Sequence, residues 1–134
     1  MSRAALLARA RAAAQAGMVD TCTIRRPISG EDTDGYGHVV TSYASPDPYS
    51  GPCRVQQTRE TSSSERDIAE DQVVLLVLEV QLPMSVTGLQ IGDEVHMTDS
   101  VSDPDLPGRV FRITSLAHKT DASARRVQCT ERTD

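Results

Sequence analysis

Polar and apolar positions follow one rhythm at the start of the chain and another through the rest of it. Over residues 2–16 the period is helical. Ser2 is suited to cap the first turn, and the Ala, Leu and Arg residues that follow are strong helix formers. Leu6, Leu7, Ala10, Ala13 and Ala14 fall within an arc of about 120°, flanked by Arg9 and Arg11. Gly17 suits the position just past the last turn. A stripe made largely of methyl groups docks onto a flat surface and adds little to a core.

From Val19 the period becomes two. Val19–Arg26 reads as a strand, with Cys22 and Ile24 on one face and Thr21 and Thr23 on the other, ended by Pro27. Ser29–Gly37 is a turn, and His38–Ala44 returns as a second strand, so the two predict a hairpin. After a loop at Ser45–Pro52 comes a short strand at Cys53–Gln57. Val73–Leu82 is the strongest strand. Val74, Leu76, Leu78, Val80 and Leu82 line one face, and Val73, Leu75 and Val77 the other. A strand apolar on both faces needs cover on both sides. Ile91-Gly92-Asp93 turns into a strand at Glu94–Met97, and Gly108–Ala117 and Arg125–Thr130 follow. About seven strands with no helices between them predict a mainly β fold, a small antiparallel β-barrel or sandwich preceded by one helix. The organisation expected is a helical docking arm over 1–17 and a barrel domain over 18–134. The barrel domain carries a long polar loop at 58–71.

Length changes this picture little: 134 residues make one domain. Composition excludes more. With 3% aromatics, no Trp and a net charge of -5, the chain is a poor candidate for stacking single-stranded bases or for binding nucleic acid non-specifically. The apolar run Val73–Leu78 is far below the ~20 residues of a membrane helix, and Arg9 and Arg11 interrupt any signal-like segment. Cys22, Cys53 and Cys129 are odd in number, widely spaced and each two residues from an aliphatic one. Three buried thiols in an intracellular protein are the expectation. Charge is segregated: residues 1–26 sum to +4, 27–105 to -12 and 106–134 to +3. That suits partner docking through surfaces of opposite sign, or a surface that repels DNA phosphates.

Candidate chemistry is thin. His38, His96 and His118 lack metal-ligand spacing. The Ser62–Ser64 run lacks a nucleophile elbow. Glu31, Asp32 and Asp34 suggest a calcium loop only superficially, because the closing Glu is missing. Asp93 and Glu94 follow Gly92, and a turn explains them better than a carboxylate dyad. No catalytic residue, metal or cofactor is expected, and the chain does not read as an enzyme.

The order of motifs carries a resemblance. A basic helix is followed by V-D-T-C-T-I-R-R-P, an acidic Gly-rich hairpin, and C-R-V-Q with its polar loop. Then come an apolar strand ending L-P, I-G-D-E-V, P-G-R-V-F-R-I and R-R-V-Q-C. Over roughly residues 18–131 this resembles the head-to-tail connector proteins of tailed bacteriophages, most closely the head-closure or stopper type. The resemblance implies a structural virion protein of the neck, assembled in the host cytoplasm as a ring of about six or twelve copies. One side would meet the portal and adaptor, the other the tail terminator and tail. Genomic DNA would pass through without sequence-specific binding. By position, Thr58–Asp71 matches the loop that closes the channel in that family. The candidate gate residues are therefore Arg59, Glu60, Glu65, Arg66, Asp67, Glu70 and Asp71, whose mixed charges suit pairing between neighbouring copies. The candidate ring-docking residues are Leu6, Leu7, Ala10, Val73, Leu75 and Val77. Alternatives are a tail terminator or other tail-ring protein, an oligonucleotide-binding barrel, and a peptide-binding adaptor domain.

Overall fold

The computed structural model describes residues 2–28, 32–33, 35–62 and 73–132, with side chains described except at 32–33, 39, 58–62 and 73–76. Helix α1 spans Arg3–Ala16. Eight strands follow: β1 Asp20–Arg25, β2 Asp32–Thr33, β3 Val39–Val40, β4 Tyr49–Ser62, β5 Val73–Leu82, β6 Glu94–Asp99, β7 Val110–Ala117 and β8 Arg125–Glu131. Six of them close an antiparallel barrel in the order β1-β4-β5-β8-β7-β6, while β2 and β3 pair with each other outside it. The fold is the expected one, a mainly β barrel with an N-terminal helix.

Alternation decides the core. Cys22 and Ile24 of β1, Cys53 of β4, Val80 and Leu82 of β5, Val95 and Met97 of β6, Phe111 and Ile113 of β7, and Val127 and Cys129 of β8 all point inward and are buried. Closure of so small a barrel needs strong local twist, which bulges supply. One lies between Ile113 and Ser115, where Thr114 is left over and its hydroxyl donates to the Gln128 carbonyl at 3.2 Å. Another lies at Thr21/Cys22, where the Thr98 hydroxyl donates to the Thr21 carbonyl at 3.1 Å. Antiparallel connectivity defines two barrel ends. The near end carries the start of β1, the 100–109 loop and the end of β8. The far end carries the end of β1 and the 118–124 loop.

Two expectations are corrected. The β1 strand does not make its hairpin with the next strand inside the barrel. Its barrel partners are β4 and β6, and residues 39–44 meet it only beyond its end. There Pro27 bridges Tyr43, Ile28 N donates to Ser42 O, and Ala44 N donates to Arg26 O. The short strand expected at Cys53–Gln57 is the middle of a 14-residue strand that begins in the expected loop at Tyr49 and ends at Ser62. Thr58–Ser62, assigned by sequence to the long polar loop, are therefore strand, paired with Val77–Val73.

Candidate functional site

Among the described residues, the barrel interior is filled by its own side chains. Cys22, Ile24, Cys53, Val80, Leu82, Val95 and Ile113 have no exposed surface. A six-stranded barrel is narrow enough for its own side chains to fill. Burial pushes the Cys129 thiol up to about 12. Contact with Cys53 and burial push Cys22 up as well, so these thiols behave as small apolar groups. Among the described residues no cluster of three or more His, Cys, Asp or Glu side chains is arranged to hold a metal ion. No described helix is long and apolar enough to cross a membrane.

What the fold does present is an arm. Strands β4 and β5 pair from Arg54↔Gln81 to Ser62↔Val73. The β5–β8 ladder covers only Leu78–Leu82, and β1 leaves β4 at Cys53. Five pairs, Thr58↔Val77 to Ser62↔Val73, therefore run on for about 17 Å ahead of the β5–β8 ladder. One strand of the arm reads T-R-E-T-S and the other V-V-L-L-V. A strand of five successive aliphatic residues has apolar positions on both faces.

The arm gathers several residues singled out from sequence. Arg59 and Glu60 lie on β4 opposite Leu76 and Leu75, so they belong to the arm and not to a loop. Val73, Leu75 and Val77 lie on its other strand, opposite Ser62, Glu60 and Thr58. Val77 is half-buried. Glu65, Arg66, Asp67, Glu70 and Asp71 lie outside the described residues.

Helix α1 lies on the outside of the barrel and buries none of its residues. The Ser2 hydroxyl accepts from Ala5 N at 3.1 Å, and Gly17 N donates to Ala14 O. Leu7, Arg11 and Ala14 are half-buried and share one face. The Arg11 Nε donates to the Ala122 carbonyl at 3.2 Å, and Arg3 pairs with Asp121. The expected stripe is therefore split: Leu7 faces the chain's own 118–124 loop side, whereas Leu6 and Ala10 face solvent, Leu6 at 56% exposure.

A second feature went unread in the sequence. Asp93 and Glu94, taken there as turn residues, are 2% and 1% exposed. They do not form a dyad, since each is held by its own arginine. Arg26 donates to both Asp93 oxygens at 2.9 and 3.0 Å, and Asp93 Oδ2 also accepts from Gln90 N. Glu94 sits on the outer face of β6 and is sealed there by four groups. Tyr43 Oη donates at 2.6 Å, Arg132 reaches both carboxylate oxygens at 2.9 Å, His96 Nε2 lies at 3.1 Å and Arg112 at 4.0 Å. Burial alone would raise the Glu94 pKa. The bonds from Tyr43 and Arg132, the Arg132 charge and the His96 contact outweigh it, and the carboxyl sits below its ordinary value. Arg25 stacks on the Tyr43 ring at 3.7 Å, and His96 meets that ring edge-on. The cluster ties Tyr43, whose stretch 42–44 bonds residues 26–28, to the outer face of β1 and β6. Its residues come from five separate stretches of chain. The sequence signal was the pair of charged dipeptides, Arg25-Arg26 and Asp93-Glu94, each beside a core residue.

Residues 10–130 match the family described as Family of unknown function (DUF6093). No curated protein matches the chain.

Proposed function

The chain belongs to the DUF6093 family, and we propose that this member is a structural, ring-forming connector of a tailed phage, of the head-closure type. The observation that carries this reading is the arm. The aliphatic run Val73–Val77 pairs with Thr58–Ser62 of β4 ahead of the β5–β8 ladder, and in this reading a neighbouring copy in a ring packs against it. One further point supports it: the barrel core is filled by its own side chains, so in this reading the channel forms between copies. In this reading the gate of the DNA channel is the Thr58–Asp71 stretch, of which Arg59 and Glu60 are described, on β4. Portal or adaptor sits on one side, and terminator or tail on the other.

A second reading is a tail terminator or other tail-ring subunit. The 14-residue β4 favours it, because hairpins of that length suit strand exchange between stacked ring subunits. One experiment separates the two. The gene is removed from a phage that encodes it, and heads and tails are counted by electron microscopy. The head-closure reading expects tails of normal length beside heads that have lost DNA. Full heads beside tails of irregular length would give the tail-terminator reading. A normal, infectious particle would overturn both.

A further inference from the structure

At the near end of the barrel, the root of the arm and the 103–109 loop enclose a surface cleft of about 530 Å³. Val55, Leu78, Leu106 and Phe111 form its apolar walls, and Asp103 and Asp105 stand exposed at its rim. Glu131 adds a third carboxylate there, paired with Arg109. Gln56 and Gln57 also line the cleft, and Arg109 answers one of the three carboxylates, so the cleft has an apolar wall and an edge with a net acidic excess.

The same chain displays the complement. On α1, Leu6, Ala10 and Ala13 are exposed and lie within about 60° of one another, beside the half-buried Leu7–Arg11–Ala14 face that meets the barrel. Arg9 lies beside that stripe, exposed, with no carboxylate partner among the described residues. One knob of leucine size between alanines, edged by a cation, is the shape and charge that the cleft accepts.

We propose that α1 of one copy docks its Leu6–Ala10–Ala13 face into the Leu106 cleft of the next copy, with Arg9 placed against Asp103 and Asp105. Ring closure requires such an interface, in which two different patches of one chain meet head to tail. The inference rests on the ring-forming reading and names the contact that reading needs. Helix side chains fit a groove at this scale through a few anchors, here Leu6, with charges setting register and partner choice.

The test is sedimentation equilibrium of the full chain at low salt, in wild type and in Leu6→Asp, Arg9→Glu and Asp105→Arg. All three positions are exposed, and far-ultraviolet circular dichroism and melting confirm that each variant is folded. Wild type is expected to self-associate, Leu6→Asp to weaken association by about tenfold or more, and each charge variant to weaken it less. An equimolar mixture of Arg9→Glu and Asp105→Arg is expected to recover association, because the exchanged charges again meet across the interface. Association that survives Leu6→Asp, or a mixture that stays as weak as its components, overturns the proposal. Either result leaves the ring reading standing on a different contact. A wild type that is monomeric at every concentration also overturns it, and leaves the cleft to the basic helix of a different protein. The ring reading itself is judged separately, by the copy number of the protein in particles.

Discussion

The two halves of β5 are both rich in aliphatic residues and differently placed: Val73–Val77 are aliphatic at every position, whereas Leu78–Leu82 alternate with Glu79 and Gln81. Leu78, Val80 and Leu82 sit between β4 and β8, and Val80 and Leu82 are fully buried. Val73–Val77 pair with β4 ahead of the β8 ladder, which starts at Leu78. Inside the barrel an aliphatic residue is used by the fold. Ahead of the β8 ladder the same residue type has no place in that ladder, and the proposed ring reading assigns it to contacts between molecules. The contrast separates what closes the barrel from what that reading presents to partners.

The contrast can be broken first in the core. Leu82→Ala should cost about 2–5 kcal/mol, the range for a buried leucine whose cavity cannot collapse. Leu76→Ala in the arm should cost the isolated protein under about 1 kcal/mol. Urea unfolding of the two variants checks the difference, and equal losses would mean that the arm packs on the barrel.

The clamp gives the next effect. Glu94→Gln leaves Arg132 without its carboxylate in a buried place, and should cost about 1–3 kcal/mol. The exposed Arg109–Glu131 pair is the control: Glu131→Gln should cost about 0–1 kcal/mol. The same urea series compares them.

The pH dependence sharpens the account from both sides. Because the folded state holds Glu94 below its ordinary value of 4.5, its stabilisation is present above that pH and is lost as pH falls through the folded value. Cys129 and Tyr49 are both pushed up to about 12 by burial, from ordinary values of 9.0 and 10.0. Their contribution is complete below pH 9 and falls away as pH rises toward 12. Unfolding free energy should therefore be flat between about pH 6 and 8, decline toward pH 3 and decline again above pH 9. Glu94→Gln should flatten the acid limb only.

The smallest stability effect belongs to the helix. Leu6→Ser, at an exposed position, should change unfolding by no more than about 0.5 kcal/mol. Deleting residues 2–16 should leave a barrel that still melts cooperatively, since the helix contributes no residue to the core cluster.

Sequence disclosed the strands whose two faces differ. The β1, β6 and β8 strands alternate cleanly, and their inward residues were readable as Cys22 and Ile24, Val95 and Met97, Val127 and Cys129. The second half of β4 was hidden because Thr58–Ser62 carry no alternation. They are strand only because Val73–Val77 lie opposite, a fact of pairing and not of local pattern. The first half was hidden by Gly51 and Pro52, which read as breakers, although Tyr49 Oη bonds the Pro52 carbonyl and the ladder with β1 runs through both. The clamp was illegible for a related reason. Glu94 lies on the outer face, where alternation predicts exposure, and Tyr43 and Arg132 reach it from segments that only the barrel's closure brings near. Outside those pairings, nothing local marks Glu94 as buried.

The central claim is that the barrel is complete without the arm and that the arm exists for association. The direct measurement replaces residues 58–77 with Asn-Gly, joining the paired residues Gln57 and Leu78 through a two-residue hairpin turn. Thermal unfolding and sedimentation are then compared with the full chain. The account predicts cooperative melting within a few degrees of the full chain, together with loss of ring assembly. An excised protein that fails to fold, or one that assembles as the full chain does, would contradict it.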